Sequence, residues 1–382
     1  MKRIILIISS IYIFSFSWAD IITVSNNPDS PGQYTSLQTA IDAAMDGDTI
    51  LIAGSPTSYG AITLDKKLRL IGAGIAPGYK QNAFTTVIAT INLFANENFQ
   101  GASGSSFEGI VLQCTATICS TMTNSNPGTI IKDITVDRCY YIGFTQPGIG
   151  QTAGTFAVSY IEDLNIRNSI FYGSNIFMST GAQNIIISNN IFTNSSGFIT
   201  GYITNTTNTS FNIVVSNNIF FGDDQFGSNF NIYRGTTYNI TFSNNILYRI
   251  SPDPYIEIVE NCVFNNNISF GASSNAFSVT GSNTGVNNIE NSDPQFVSIA
   301  PGATSFTWTD DLHIEPGSPG ENAGVDGSNI GIYGGSFPFP LGGQYDAGPA
   351  PAIPEITIMN ILNTALKKTD QLQVQIKANS NN

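Results

Sequence analysis

Two charged stretches of the chain carry matching patterns 30 positions apart, at 132 and 162. They start at Lys132 and Glu162 and read Lys-Asp-Ile-Thr-Val-Asp and Glu-Asp-Leu-Asn-Ile-Arg. If the alternating apolar residues point into a core, Asp137 and Arg167 face outward on neighbouring strands, and the two starting residues pair. Such a cluster could shift pKa values or hold a cation, or it could be a solvated charge ladder that adds little stability. Asp137 and Arg167 are therefore the candidate catalytic residues.

Hydrolysis that depends on a histidine has little support in the sequence. His313 is the one histidine of the chain, and its position near the end of the repeats favours packing and turn bonding. Asp223 and Asp224 form a carboxylate pair, but they follow Phe-Gly and favour a polar turn. A Ser-His-Asp triad is likewise poorly supported.

Aromatic residues in two longer connecting segments, 193–211 and 221–238, form a second candidate site. The candidate ligand-binding residues are Tyr202, Phe226, Tyr233 and Arg234, with Phe198 and Phe230 nearby. Insertions in successive repeats usually emerge on one side of a solenoid. Exposed aromatics among amides and hydroxyls suit stacking on sugar rings, although these side chains could instead pack beneath their own loops.

The chain has four cysteines, and their spacing does not match a zinc site. Cys114 and Cys119 are close enough to bridge one loop in an oxidising compartment. Alternatively these two, with Cys139 and Cys262, are buried thiols of a β core. No metal site is predicted from either alternative.

A repeated phrase must position all of these residues. Asn-Ile-Ile-Ile-Ser-Asn-Asn-Ile-Phe at 184–192 returns in similar form at 212–220 and 239–247, and looser copies start at 163 and 261. Apolar residues alternate within each copy, which is the period of a β-strand. The Asn pair then ends the strand, because Asn tolerates the left-handed backbone region needed for a sharp turn.

No single copy can bury its own apolar face, so the copies are expected to stack as parallel coils. Asn189, Asn217 and Asn244 would then lie in one column and hydrogen-bond along it. The alternative is an antiparallel sandwich with Asn-rich turns. It is disfavoured because hairpins would not need the same phrase in the same orientation each time.

This pattern resembles the right-handed parallel β-helix superfamily of pectin-lyase-like proteins over about residues 21–335. The resemblance implies an all-β solenoid, a fold shared by lyases, hydrolases, esterases, tailspikes and adhesins. Lyases and esterases of this kind use clustered carboxylates, often with Ca²⁺, and an Arg or Lys base. Under a lyase alternative, Asp137 and Arg167 would take those roles with Ca²⁺; otherwise no cofactor is expected.

The two ends of the solenoid carry further signals. Apolar residues in 36–44 have helical spacing, with Thr35 or Ser36 as N-cap, and Asp-Gly-Asp-Thr-Ile follows. This opening resembles secreted β-helix proteins, in which such a helix covers the end of the solenoid. Near the other end, segments 311–319 and 329–335 resemble the closing sequence of many secreted bacterial β-helix proteins.

The predicted organisation has four parts: a signal peptide at 1–19, a β-helix domain at 20–335, a Pro/Gly linker at 336–354 and a C-terminal β-hairpin tail at 355–382. The signal peptide is indicated by Lys2 and Arg3, an apolar run and Ser17-Trp18-Ala19. The apolar run is too short for a membrane span, and no later segment qualifies. The protein is therefore expected to be exported to the periplasm, the cell surface or the medium.

Composition limits the partners. The 382 residues include 14 Lys and Arg against 27 Asp and Glu, a net charge of −13, and such a surface repels nucleic acid and anionic membranes. The predicted function is a secreted or cell-surface protein without catalysis that binds an extracellular glycan or acts in adhesion. The alternatives are a polysaccharide lyase and a purely structural component.

Overall fold

The computed structural model describes residues 19–28, 30–75, 84–94, 101–113, 122–124, 130–142, 154–158, 161–178, 183–193, 199–201, 212–223, 233–234, 237–253, 259–277, 279–339, 355–361 and 374–379. The predicted signal peptide up to residue 18 lies outside this part of the chain, as do Cys114, Cys119, Tyr202 and Phe226.

One helix and 32 strands make up the described secondary structure. The helix is α1 (Leu37–Ala43). The strands of the first half are β1 (Ile21–Val24), β2 (Thr49–Ile52), β3 (Ala61–Leu64), β4 (Arg69–Ile71), β5 (Val87–Ile88), β6 (Thr90–Leu93), β7 (Ser106–Glu108), β8 (Val111–Gln113), β9 (Met122–Asn124), β10 (Ile131–Asp137), β11 (Tyr140–Ile142), β12 (Gly154–Val158), β13 (Ile161–Arg167), β14 (Ile170–Tyr172), β15 (Ser174–Met178) and β16 (Gln183–Ser188). Those of the second half are β17 (Ile191–Thr193), β18 (Ile199–Gly201), β19 (Ile213–Ser216), β20 (Ile219–Phe221), β21 (Tyr233–Arg234), β22 (Thr237–Tyr238), β23 (Ile240–Ser243), β24 (Ile246–Tyr248), β25 (Val259–Glu260), β26 (Val263–Asn265), β27 (Ile268–Phe270), β28 (Thr284–Val286), β29 (Phe296–Ser298), β30 (Asp311–Ile314), β31 (Glu355–Ile361) and β32 (Val374–Asn379).

Two long parallel sheets run the length of the solenoid. Sheet 1 has eleven strands in the order β1-β2-β4-β7-β10-β13-β16-β19-β23-β26-β28, and sheet 2 has eight in the order β27-β24-β20-β17-β14-β11-β8-β5. Sheet 3, a four-stranded stack of β12-β15-β18-β21, lies on the third side. Successive coils therefore stack parallel strands into the same sheets, which confirms the all-β parallel β-helix and excludes the sandwich. Parallel crossover connections are right-handed in nearly all proteins, the hand that the resemblance implies.

The interior is filled by the alternate apolar residues of the repeated phrase. In sheet 1, Ile185 pairs in register with Ile213, and Ile213 with Ile240; all three side chains are buried. In sheet 2, identical residues stack: Phe192 lies 4.8 Å from both Phe171 and Phe220 between ring centroids. In-register stacking thus places each apolar residue against its counterpart on the next coil.

The first Asn of each pair makes the turn between sheets 1 and 2. Asn189, Asn217 and Asn244 have φ of 55°, 56° and 56°, the left-handed region that the sequence predicted for them. They do form a column, because Asn189 N–H donates to Ser216 O and Asn217 N–H to Ser243 O.

The hydrogen-bonded ladder, however, is made by the second Asn of each pair, which corrects the prediction. Asn190 Nδ2 donates to Asn218 Oδ1 at 3.0 Å, Asn218 Nδ2 to Asn245 Oδ1 at 3.0 Å, and Asn245 Nδ2 to Asn267 Oδ1 at 2.9 Å. The physical reason is direction: after the left-handed residue, the next side chain points into the solenoid, where each amide must find a partner. In the first column only Asn244 Nδ2 reaches Asn217 Oδ1, at 3.5 Å.

Helix α1 matches its prediction closely. Ser36 is the N-cap and its hydroxyl accepts from Thr39 N–H. Gln38 exchanges two hydrogen bonds with the backbone of Thr63 in β3, at 2.8 and 3.1 Å. Lys66 Nζ donates to three carbonyls at the end of the helix, including Asp42 O at 2.7 Å, where a positive charge is favoured by the helix dipole.

The segment 292–339 folds back along the outer face of sheet 2 and creates a second apolar core there. Phe296, Phe306, Leu312, Ile330 and Ile332 are buried against sheet 2 residues such as Ile191, Ile219 and Ile246. Four outward amides of the turn column face this segment. Asn189 Nδ2 donates to Ile332 O and Gly334 O, Asn217 Nδ2 to Gly331 O, Asn266 Nδ2 to Ala323 O, and Asn244 Oδ1 accepts from Val325 N–H.

The predicted linker begins with residues that pack on the solenoid. Phe339 is buried and its N–H donates to Ile332 O at 2.7 Å; residues 340–354 lie outside the described part. The strands β31 and β32 pair antiparallel, as expected for the predicted tail, whose boundaries stay a prediction. Helix α1 has seven residues, and the described part of the chain contains no helix that could span a membrane.

Candidate functional site

Strand register on sheet 1 places polar residues in rows on its outer face. Thr135 pairs with Asn165, and Asn165 with Ile186. Asp137 pairs with Arg167, and Arg167 with Ser188. Alternate residues of a strand share a face, so the two rows run side by side along the stack.

A groove of about 290 Å³ lies on this outer face. It is lined by backbone and side-chain atoms of Asp133, Thr135, Asp163, Leu164, Asn165, Asn184, Ile186 and Asn212. Its lining combines two carboxylates, three amides, a hydroxyl and the apolar side chain of Ile186, which is 41% exposed. Polar groups therefore dominate the lining, and Ile186 adds one exposed apolar contact.

One side of the groove is formed by residues in the left-handed backbone region. Asp133, Asp163, Asn184 and Asn212 have φ of 57°, 56°, 52° and 34°. Asn212 Nδ2 donates to Asn184 Oδ1 at 3.3 Å, and Asn184 Nδ2 donates to Asp163 Oδ1 at 3.0 Å. Sequence reasoning missed this row. The available signal was the Asp or Asn that recurs at the first position of the repeated phrase.

The predicted charged cluster exists beside the groove. Arg167 Nη2 lies 3.3 Å from Asp137 Oδ2, and Lys132 Nζ lies 2.7 Å from Glu162 Oε2. The hydrogen bond to Glu162 raises the pKa of Lys132. The alignment of the two charged stretches is therefore confirmed as geometry, while the catalytic role of Asp137 and Arg167 stays a prediction.

The cluster is larger than predicted, and its carboxylates are buried. Arg69 holds Glu108 through two hydrogen bonds at 2.8 and 3.0 Å, and Arg138 contacts both Glu108 at 3.0 Å and Asp137 at 3.6 Å. Both carboxylates are more than nine-tenths buried. The hydrogen bonds that Arg69 donates to Glu108 raise the pKa of Arg69 above its usual value, which disfavours Arg69 as a proton acceptor. This is a partly buried network rather than a solvated ladder.

Asp137 does not suit a Ca²⁺ ligand in this arrangement. Its Oδ2 faces Arg138 and Arg167, and its Oδ1 accepts from Asn168 Nδ2 at 3.3 Å. Two guanidinium groups beside the carboxylate oppose a second cation. Within the described ranges, no three His, Cys, Asp or Glu side chains are grouped as a metal site.

Phe337, from the folded-back segment, covers Arg167. The guanidinium carbon lies 4.4 Å from the centre of the Phe337 ring, a cation–π contact. Phe337 itself is 45% exposed. Nothing in the sequence could pair two residues 170 positions apart, 167 and 337, because their contact depends on how the segment folds back.

Four buried polar atoms in this region have no hydrogen-bond partner: Asn165 Oδ1, Arg167 Nε, Asn168 Oδ1 and Ser188 Oγ. Asn165 lines the groove, and the other three lie on the adjacent row and turn. Buried polar groups in folded proteins nearly always bond to protein, water or ligand. These four atoms are shielded from solvent, so each lowers the stability of this part of the sheet.

The side chains of the remaining candidates, His313 and Asp223, contact other residues of the fold. His313 stacks on Tyr333 with 3.7 Å between ring centres, and its Nδ1 lies 2.7 Å from Asp311 Oδ1. Burial raises the pKa of Tyr333. Asp223 accepts from Arg249 at 3.1 Å, an ion pair that its predicted turn did not reveal.

The predicted aromatic site cannot be placed as a unit. The backbone of Tyr233 and Arg234 forms β21, which pairs with β18. Tyr202 and Phe226 lie outside the described residues. Cys139 and Cys262 are buried thiols, as one of the two cysteine alternatives expected, and burial raises their pKa to about 12 and about 11.

Comparisons with known proteins give distant structural similarity. No family model matches the chain, and no curated protein matches its sequence. A crystal structure of pectate lyase Pel9A is similar at 16% identity, covering 85% of this chain and 96% of that chain, with a TM-score of 0.34. An alginate lyase from Paenibacillus sp. str. FPU-7 is similar at 13% identity, covering 71% of this chain and 95% of that chain, with a TM-score of 0.24. The fold of this chain follows from its own strand pairing.

Proposed function

We infer that this protein is exported and binds an extracellular polysaccharide without cleaving it, in the groove on the outer face of sheet 1. The groove is the observation that carries this function. Its amides and carboxylates can bond to hydroxyl groups, and Ile186 offers an apolar contact for the C–H face of a sugar ring. Export is supported by the charged start, apolar run and small-residue site at 1–19.

The arrangement of arginines favours binding over cleavage. A side chain that removes a proton must reach the substrate and give up its own proton readily. Arg69 and Arg138 are held by buried Glu108, and Arg167 is held by Asp137 and covered by Phe337. Each guanidinium is thus occupied in the partly buried network.

A glycan array probed with the exported chain tests this function. Retention of one polysaccharide class is expected, and Asn165→Ala should weaken it because Asn165 lines the groove. Asp163→Asn should weaken it as well, and Asn keeps the left-handed turn that Asp163 makes. Thr241→Ala, three coils beyond Asn165 on the same outer row, is the matched control.

A second arm of the same array distinguishes the groove from the alternative aromatic site in the connecting segments. Tyr202→Ala combined with Tyr233→Ala should leave retention unchanged if the groove is the site. Loss in this double variant, with full retention in Asn165→Ala, would move the site to the connecting segments. Absence of any retained polysaccharide would remove glycan binding altogether.

A polysaccharide lyase is the second candidate, favoured by one observation. Asp137 and Arg167 contact each other on the row next to the groove, within reach of a ligand lying there. Incubation of acidic polysaccharides with the protein, with and without Ca²⁺, would give unsaturated products under this alternative. Products that persist in Arg167→Ala would exclude Arg167 as the base.

A further inference from the structure

We propose that removal of residues 1–19 during export leaves Asp20 as the first residue, and that its new α-ammonium group forms an ion pair with the buried carboxylate of Asp48. This inference rests on the export part of the proposed function. It goes beyond that function, because it assigns the processing site and makes processing the step that completes the first coil. It starts from one short contact: Asp20 N–H donates to Asp48 Oδ1 at 2.8 Å.

Asp48 is a buried carboxylate that bonds to neutral groups in the unprocessed chain. It is 2% exposed, and its two oxygens accept from Asp20 N–H and Met45 N–H, both at 2.8 Å. An ionised carboxylate is costly to bury without an opposite charge. Before cleavage the donor on Asp20 is a peptide N–H, and after cleavage it is a cation. The ion pair therefore exists only in the processed chain.

The side-chain cations of the following coil are engaged elsewhere. Lys66 Nζ donates to three carbonyls at the end of α1, and Arg69 forms its ion pair with Glu108. The side chain of Lys67 lies against the chain just before β7. Within the part of the chain that the structure describes, no lysine or arginine side chain forms an ion pair with Asp48. The first residue of the processed chain thus supplies the missing positive charge.

The backbone holds both partners in place. Thr49 N–H donates to Asp20 O at 2.9 Å, and β1 then pairs with β2 in register. Arg69 N–H donates to Asp48 O at 3.0 Å, which fixes Asp48 from the other side. Ala19 is exposed, so its removal costs no buried side chain. A pair that is already positioned loses little conformational entropy when the charge appears.

The contact and the cleavage motif indicate the same peptide bond. Ser17-Trp18-Ala19 has the small residues that precede a signal-peptide cleavage site. Hydrolysis there adds the hydroxyl of water to the Ala19 carbonyl and its hydrogen to the Asp20 nitrogen, and the proton of the new carboxylic acid passes through solvent to the amine. Cleavage one residue earlier would move the charge by about 3.8 Å. Cleavage one residue later would remove Asp20 and its bond with Thr49.

Two chains of equal net charge test the ion pair. Residues 20–382 and 19–382 are each released from an amino-terminal ubiquitin fusion, so both begin with a free amine, but only the first places it beside the carboxylate. Hydrogen exchange, read by mass spectrometry on peptides that cover β1 and β2, should be roughly tenfold slower in 20–382. Peptides covering 213–221 should exchange equally in both chains, because distant coils contact only their own neighbours.

A change at Asp48 shows whether this carboxylate causes the difference. In Asp48→Asn the two chains should exchange alike, because the amide carries no charge. Asp46→Asn is the matched control. Its carboxylate lies in the same turn, is exposed and accepts from Lys67 N–H at 3.0 Å, and the tenfold difference should persist there. Sequencing the amino terminus of the exported protein should give Asp20 as the first residue.

Each outcome separates this inference from the function on which it rests. Equal exchange in 20–382 and 19–382 would overturn the ion pair, as would a difference that persists in Asp48→Asn, and either result leaves polysaccharide retention on the array untouched. An exported chain that starts at another residue would overturn the processing site. A chain that keeps residues 1–19 inside the cell would overturn both this inference and export. A tenfold difference in a chain that retains no polysaccharide would support the ion pair and overturn glycan binding alone.

Discussion

Adjacent asparagines in the repeated phrase do different work because the backbone turns between them. Asn217 takes φ of 56° and points outward, where it meets the folded-back segment. Asn218 points inward, is fully buried and bonds to Ile187 O and Asn245 Oδ1. Its own Oδ1 accepts from both nitrogens of Asn190. The same residue type is used once for its backbone tolerance and once for its amide.

Asn218→Ala should therefore lower the free energy of unfolding by about 2–4 kcal/mol, because it leaves buried donors and acceptors unpaired. Asn217→Gly should cost less than about 1 kcal/mol, since Gly adopts the left-handed turn without strain. Urea unfolding followed by circular dichroism measures both. Equal losses in the two variants would show that the ladder adds no more than the turn.

Cys139 should make the folded protein less stable at alkaline pH. Burial raises its pKa from 9.0 to about 12 in the folded chain. The thiol's contribution to stability is fully present below pH 9, and it is lost as the pH rises towards 12, because the unfolded chain gives up the proton first. Cys139→Ala should flatten the loss of stability over this window, by up to about 1.4 kcal/mol per pH unit.

Thermal unfolding at several pH values between about 8 and 11, where the thiol of the unfolded chain titrates, measures this effect. Tyr140, with a pKa raised to about 12 by burial, stays in the variant and keeps part of the alkaline slope. Parallel curves for parent and variant would mean that Cys139 gains access to solvent in the folded protein.

The element that most changes the surface is the folded-back segment 292–339. It shields the apolar outer face of sheet 2, where Phe221 and Tyr248 contact Phe296. It also brings Phe337 to Arg167. Without this cover, sheet 2 would expose a broad apolar surface, and such surfaces promote association.

Phe306→Ala should loosen this segment selectively. Phe306 is buried, packs edge-on against Trp308, and its N–H donates to Thr193 Oγ1 at 2.8 Å. Removing the ring should cost about 3–5 kcal/mol, taken first from the docking of the segment. Hydrogen exchange should accelerate in 296–339 and stay slow in 213–221, with exposed Phe337→Ala as control. Uniform acceleration would mean that segment and solenoid unfold together.

At the scale of the whole molecule, stability is a sum over coils that contact only their neighbours. Phe171, Phe192 and Phe220 form one continuous stack, and the Asn ladder follows the same axis. The net charge of −13 is spread over an elongated surface and favours solubility. A defect in one coil should therefore weaken the adjacent coils and leave distant ones unchanged.

Phe192→Ala should show this neighbour effect. Its ring is fully buried between two others, so its loss should cost about 3–5 kcal/mol. Faster hydrogen exchange is expected in β14 and β20, while β1 and β2 keep their protection. Ile186 lies in β16, just before β17 in the chain, and its side chain points outward and is 41% exposed. Ile186→Ala should therefore lower the free energy of unfolding by less than about 1 kcal/mol. Protection lost equally in β1 and β20 would indicate a single cooperative unit.

The sequence by itself determined the features that depend on neighbouring residues. Alternating apolar positions, Asn in left-handed turns, an N-cap at Thr35 or Ser36 and the register of Asp137 with Arg167 all follow from local backbone preference and a repeat that stacks on itself. Only the tertiary structure decided which Asn forms the ladder, where the groove lies, and that Phe337 covers Arg167. The reason is physical. Turn and strand preferences act within a few residues, whereas these contacts depend on the direction of each side chain and on a segment that folds back onto coils far away in the chain.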